Sequence, residues 1–358
     1  MSDGCSSSDT NHLGERLLNV RTPVWDGLLL VSVFLVTLVG TWAYRSFAIH
    51  RGIVANPNFR SLHQRPIPRG GGIVFSLVCI CAVIALWSMA LVDQSLARAI
   101  VFGGGVATVF GFADDTLQMR ALTKLLVQGV LAAWVLYCFD GQLLCDLPLT
   151  PHIVDLVLNW LGLVWLMNLY NFIDGIDGMA AAGALMISVL SILAICIARP
   201  EHELILVFGL LAAGSVGFLI FNWPPASIFM GDAGSLFLGY CFCALLASTV
   251  SGGQIRLWTW VVFFGYFAGD TTTTTLVRIF ITEKWYGEHR SHAYQNLARL
   301  SGSHLKVVLG VSLYHGLWLL PLTIWSSLWP SAGMLAAALA LVPVILWTLR
   351  YGPKLSSS

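Results

Sequence analysis

Eleven stretches of this chain are apolar over the length a helix needs to cross a bilayer, roughly 17–25 residues. They lie near residues 24–44, 71–91, 97–113, 122–139, 153–171, 178–198, 203–221, 234–250, 258–280, 307–325 and 333–349. A water-soluble core cannot absorb so much apolar sequence. Charged residues make up 10% of the chain and apolar ones 57%, whereas soluble domains carry about 25% charge. The expected fold is therefore an all-α polytopic membrane protein with about eleven transmembrane helices. Residues 24–350 read as one transmembrane domain, flanked by a polar tail at 1–23 and a short tail at 351–358. The first tail carries acidic residues before any apolar run, so it reads as solvated chain and not as a cleavable signal.

Other classes fall away on composition. A formal net charge of +1 and the lack of long basic runs speak against a nucleic-acid partner. Six of the eight cysteines sit inside apolar runs and none forms a Cys-x-x-Cys pair, which argues against a zinc site or a disulfide framework.

Basic residues set the expected orientation. With the first tail outside, the inner segments hold fourteen of the nineteen Lys and Arg, among them Arg69, Arg120, Lys124, Arg278 and Arg290. The positive-inside rule then places the N-terminus outside and the C-terminus inside. The same assignment brings the chemistry to one face. Asp114 and Asp115 end the third run, Asn168, Asn171, Asp174 and Asp177 close the fifth, and Asp232 follows the seventh. His289, Arg290 and His292 lie in the last large inner loop. Carboxylates at a membrane boundary are costly and functional by default. Clustered Asp and Asn oxygens suit Mg²⁺, which takes one or two carboxylates together with substrate phosphates. Glycines beside them permit tight turns, and cations opposite would neutralise phosphate oxygens. Together these groups read as phosphoryl transfer.

Four motifs appear in order: Asp114-Asp115, Asn168-x-x-Asn171-x-x-Asp174-Gly-x-Asp177-Gly, Phe229-Met-Gly-Asp232-x-Gly-Ser235 and His289-Arg-Ser-His-Ala-Tyr-Gln295. With Arg65-Pro-Ile-Pro-Arg-Gly-Gly-Gly72 before them, the chain resembles the polyprenyl-phosphate N-acetylhexosamine-1-phosphate transferases of glycosyltransferase family 4. The resemblance implies a multi-pass enzyme of the bacterial inner membrane with a cleft at the cytosolic face. Its substrates would be a UDP-N-acetyl sugar and undecaprenyl phosphate, and a homodimer is admitted. It implies Asp232 as the principal Mg²⁺ ligand (Mn²⁺ as a substitute) and Asn171 as a second oxygen donor. Asp114 and Asp115 would stand near the acceptor phosphate, one of them as general base. Asp174 and Asp177 would position the nucleotide or the metal's water. Lys124 would lie close to the phosphates, and Asn168 of the second motif would join it in binding substrate. His289, Arg290 and His292 would hold the diphosphate and read the sugar, the histidines titrating near neutrality. For Arg69, contact with a substrate phosphate and anchoring at headgroups stand equal. The His-Arg-Ser-His sequence looks like the branch that starts O-antigen, often with 6-deoxy sugars such as N-acetylfucosamine, and unlike the triple-His loop of peptidoglycan-type members.

Three rivals are weaker. A transporter would place its ionisable groups near the midplane, often in symmetry-related broken helices. An intramembrane aspartyl protease needs two facing acids within helices. A CDP-alcohol phosphotransferase would need a further Gly-x-x-x-Asp-x-x-x-Asp after Asp177. Asp270, eight residues before Arg278 in an apolar run, reads equally as a structural bond or a functional group. His315 reads as a packing residue.

Overall fold

The computed structural model describes residues 23–55, 66–141, 152–281 and 291–353. Helix α1 spans Pro23–Arg51, and a two-residue antiparallel pairing joins β1 (Val54–Ala55) to β2 (Ile67–Pro68). Then follow α2 (Gly72–Ser88), α3 (Gln94–Leu117, with a π-turn at Ala99–Gly103), α4 (Ala121–Cys138), α5 (His152–Ile173), α6 (Met179–Ala198) and α7 (His202–Asn222). The second half holds α8 (Asp232–Ser251), α9 (Leu257–Phe263), α10 (Gly265–Ile281), α11 (Ala293–Ser301), α12 (His304–Leu328, π-turned at His315–Leu319) and α13 (Gly333–Tyr351).

Nine helices among the described residues are long and apolar enough to cross a membrane. The 17-residue α2 and the α9–α10 pair account for the other two expected runs. The run near 258–280 is broken at Phe264, a discontinuity that the unbroken apolar sequence conceals. Helix α3 is longer than its run, because Asp93 caps its start by accepting the amides of Ser95 and Leu96.

Helix α8 forms the axis of the bundle, packed against α2, α3, α4 and α5. Small residues allow that approach. A Cβ on Gly111 of α3 would overlap the backbone of Asp232, and one on Gly72 of α2 would overlap Gly234 of α8. Helices α10 and α13 pack together on one flank, and α1, α6 and α7 on the other. His315 is buried, its ring nitrogen bonded to the Val311 carbonyl at 2.8 Å, as a packing residue should be.

The helix ends sort into two sets. One end of the bundle gathers residues 69–72, 114–124, 171–178, 227–232 and the start of α11. The other gathers Asp93, Asp140, Glu201, Glu203 and Gln254 around an acidic hollow of about 420 Å³.

Candidate active site

Backbone pairing builds the first wall of the site. Pro68 accepts the Phe229 amide at 2.8 Å, while the Gly71 and Gly72 amides donate to Phe229 and Met230 at 3.0 and 2.9 Å. The Arg69 segment is thereby zipped to the stretch that leads into α8. Tyr44 of α1 secures it further, its hydroxyl donating to the Arg69 carbonyl at 3.1 Å.

Asp115 joins three elements. Its carboxylate accepts the amides of Asp232 and Ala233, at 3.0 and 3.2 Å, and pairs with Arg69 Nε at 2.8 Å. The first amides of a helix have no partner within it, so a carboxylate there satisfies orphan donors and meets the positive end of the helix dipole. Gly231, just before α8, has φ +73°, and a Cβ there would overlap the Asp115 carboxylate. Only glycine meets both conditions.

Asp114 faces Lys124. Its other oxygen accepts the Met119 amide at 2.7 Å, and the same lysine lies 3.3 Å from Asp232 Oδ2. Asp232 Oδ1 accepts Asn171 Nδ2 at 3.1 Å, and Asn171 also reaches Ser235 Oγ at 3.4 Å. Asp114 and Asp115 side chains are each 3% exposed, whereas Asp232 is 17% exposed and Lys124 and Arg69 about a third. The reachable groups are therefore Asp232, Lys124 and Arg69, with the two buried acids behind them.

Asp174, in the turn between α5 and α6, completes the cluster. Burial, then the nearby Asp232 and Asp115, push its carboxyl well above the usual range, against the weaker pull of Arg69 and the Gly231 amide. Four carboxylates thus face two fixed cations.

Other expected site residues bond to partners outside the carboxylate cluster. Asp177 Oδ2 accepts the Ala226 amide at 3.0 Å and stands 3.1 Å from His304 Nδ1, tying the α5–α6 turn to the 222–228 loop and to α12. Asn168 donates to Gln128 of α4 at 2.6 Å and to the Val164 carbonyl at 3.0 Å. His292 is buried against the rings of Phe172 and Tyr294, each 5.7 Å away centre to centre. Burial, with Arg278 adding to it, pushes its pKa down to about 3, so it is neutral at pH 7 and does not titrate near neutrality as expected of an exposed loop histidine. His289 and Arg290 lie outside the described residues.

One organising residue belongs to none of the four motifs. Asn222 accepts the Gly178 amide at 3.0 Å and donates to the Ile228 carbonyl at 2.8 Å, folding the loop beneath Asp232. A polar residue closing an apolar helix just before Trp-Pro-Pro was the available clue.

A family model described as glycosyl transferase family 4 matches residues 97–250. A probable undecaprenyl-phosphate N-acetylglucosaminyl 1-phosphate transferase of Bacillus subtilis is 30% identical over 310 residues, covering 84% of this chain and 83% of that protein. The chain belongs to glycosyl transferase family 4. This family 4 enzyme is also 28% identical over 343 residues to a decaprenyl-phosphate N-acetylglucosaminephosphotransferase of Mycobacterium leprae, covering 80% of the chain and 79% of the relative. A phospho-N-acetylmuramoyl-pentapeptide-transferase of Lactobacillus johnsonii is 31% identical over 235 residues, 61% of the chain and 72% of that protein. The matched segment of the family 4 transferase holds Asp114, Asp115, Lys124, Asn171, Asp174 and Asp232, while Arg69 enters the cluster from outside it.

Proposed function

We propose that the enzyme transfers an N-acetylhexosamine 1-phosphate from a UDP-sugar to undecaprenyl phosphate and releases UMP. The observation that carries this reading is the placement of Lys124 beside both Asp114 and Asp232 at the helix ends, with Arg69 across from it on Asp115. Two partly exposed cations held by buried acids suit the phosphates of donor and acceptor. Relatives named for polyprenyl-phosphate sugar transfer support the substrate class.

The residues present fit Mg²⁺. Asp232 and Asn171 offer hard oxygens side by side, and Asp232 is the most exposed of Asp114, Asp115 and Asp232. That pattern suits an ion that keeps waters and shares substrate phosphates. When bound, Mg²⁺ would neutralise charge on the donor diphosphate. Lys124 and Arg69 then take up charge on the phosphate oxygens, Asp114 aims Lys124, and Asp115 holds Arg69 and the start of α8. Both Asp115 oxygens already accept bonds, so we assign it an anchoring role and not that of general base. A phosphate monoester has a second pKa of about 6, so the acceptor is mostly dianionic at neutral pH and attacks phosphorus without one.

The His-Arg-Ser-His sequence supports an O-antigen-type sugar, N-acetylfucosamine or N-acetylglucosamine, over the muramoyl pentapeptide. Purified protein with undecaprenyl phosphate, Mg²⁺ and a panel of UDP-sugars is expected to release UMP with one of these N-acetyl sugars. UMP release with the muramoyl pentapeptide alone would overturn the sugar assignment, and none with any donor would overturn the reaction.

The lysine and arginine distribution supports a bacterial inner-membrane protein with the site inside and the N-terminus outside. In a variant that keeps only the four native cysteines buried among the described residues, with Cys5, Cys81 and Cys196 among those replaced by Ser, an impermeant thiol reagent is added to intact spheroplasts. It is expected to label a cysteine introduced into the first tail and to spare one at Gln118, which is exposed at the active-site end. The reverse pattern would refute the orientation.

A further inference from the structure

We propose that Asp270 is a positioning residue for this site: from α10 it fixes the start of α11, and through α11 the end of α5 and the turn after it, which carry Asn171 and Asp174. The proposal rests on the transferase reading for its kinetic consequence and on geometry for the anchor itself.

The chain that leaves α10 at Ile281 returns into the bundle. Helix α11 begins at Ala293 beside Asp270, eleven residues before the end of α10, or about 16 Å along its axis at 1.5 Å per residue. The first amides of α11 are therefore buried in an apolar setting where water does not serve them. Asp270 accepts both, from Ala293 at 3.0 Å and from Tyr294 at 3.2 Å. Its remaining capacity takes the hydroxyls of Thr274 at 3.1 Å and Thr348 at 3.4 Å, so the same carboxylate also ties in α13. A phosphate cannot use these α11 amides, because Asp270 already occupies them.

The far side of the same turn of α11 touches the site. Tyr294 donates its hydroxyl to the Phe172 carbonyl at 2.5 Å. Phe172 follows Asn171, which in turn holds Asp232. A Cβ on Gly175 would overlap the ends of Tyr294 and Gln295, so the turn after α5 and the first turn of α11 are in contact without slack. The ring of His292 fills the space between Phe172 and Tyr294. A continuous path of bonds and packed rings thus leads from Asp270 to Asn171 and Asp232. Asp270 bonds to no member of the carboxylate cluster and reaches it through the start of α11 and His292 just before it, whose Nδ1 lies 3.9 Å from Asp270 Oδ1.

Two variants test this. Asp270→Asn keeps the shape and one acceptor oxygen while losing the charge and the second oxygen. Tyr294→Phe leaves the cap intact and cuts only the bond to Phe172. For each, hydrogen exchange of segments 171–178 and 293–301, the thermal midpoint, and kcat and KM are measured on the full-length protein. Asp270→Asn is expected to speed exchange in both segments by at least about tenfold, with α1 and α2 unchanged, and to lower kcat about tenfold. Tyr294→Phe should speed exchange in 171–178 alone and lower kcat by a smaller factor. Wild-type exchange at 171–178 in both variants would overturn the proposal. So would a uniform rise across all helices with wild-type kcat in the folded fraction, which is the signature of general destabilisation. If wild-type protein releases no UMP, the transferase reading fails by itself and the exchange measurement still decides the anchor.

Discussion

Asp232→Asn is expected to leave the protein folded and inserted while lowering UMP release at least about 10³-fold, roughly 4 kcal/mol of transition-state stabilisation. The substitution separates two roles that the structure superimposes. Asp232 is the first residue of α8, after the N-cap Gly231, and its side chain caps no amide of the helix, so Asn there costs the helix only a weak charge–dipole interaction. A residue needed only to begin the helix would therefore tolerate the exchange. What Asn cannot replace is the negative charge that faces Lys124 and Asn171 on the most exposed carboxylate of Asp114, Asp115 and Asp232. The same variant should bind Mn²⁺, read by its paramagnetic resonance, at least about tenfold more weakly than wild type. Wild-type turnover with an unchanged midpoint would remove Asp232 from the reaction, and unchanged Mn²⁺ affinity would remove it from the metal.

Gly111→Ala should have the next largest effect, on folding and activity together. The added methyl overlaps the Asp232 backbone, and neither helix can yield, since α8 is held by Asp115 on that side and by α2, α4 and α5 around it. Overpacking of this kind costs about 1–3 kcal/mol, here at the junction that sets the Asp115 and Asp232 geometry. The detergent-solubilised protein should melt several degrees lower and lose most of its turnover. Gly105→Ala in the same helix is the control, for a Cβ there meets nothing within 4 Å. It should be silent or slightly stabilising, as Ala is the better helix former. Equal behaviour of the two variants would refute the close-approach argument.

Hydropathy made the helices legible but not their surroundings. Helices α1 and α8 have similar mean hydropathy, 2.0 and 1.7, yet 17% of the first is buried within the protein against 89% of the second. Lipid and protein interior are both apolar, so the pattern that reveals a span does not say which of the two it meets. Polar residues at helix ends were more informative. The motifs pointed to Arg69, Asp114, Asp115, Lys124, Asn171, Asp174 and Asp232, and the structure gathers these seven. Spacing alone did not reveal that Asp177 turns toward Ala226 and His304, because two acids three residues apart in a turn need not face the same way. Nor did it reveal that His292 is buried, since the loop composition around it is polar. Asp270 was undecided on sequence, for its partners are backbone amides more than twenty residues away.

The encirclement of α8 also dictates an order of events during synthesis. Its four main neighbours, α2 to α5, all precede it in the chain, and a polypeptide emerges N-terminus first. Asp114, Asp115, Lys124 and Arg69 must therefore be in the membrane before Asp232 and the amides that Asp115 accepts have been made. In that interval Lys124 and Arg69 are the counter-charges that the structure pairs with the two acids among the described residues. The arrival of α8 brings Asp232 and its amides to Asp115, and α10, α11 and α12 then fix the end of α5 and the turn after it, so a chain truncated before Asp232 should carry every other member of the cluster and release no UMP.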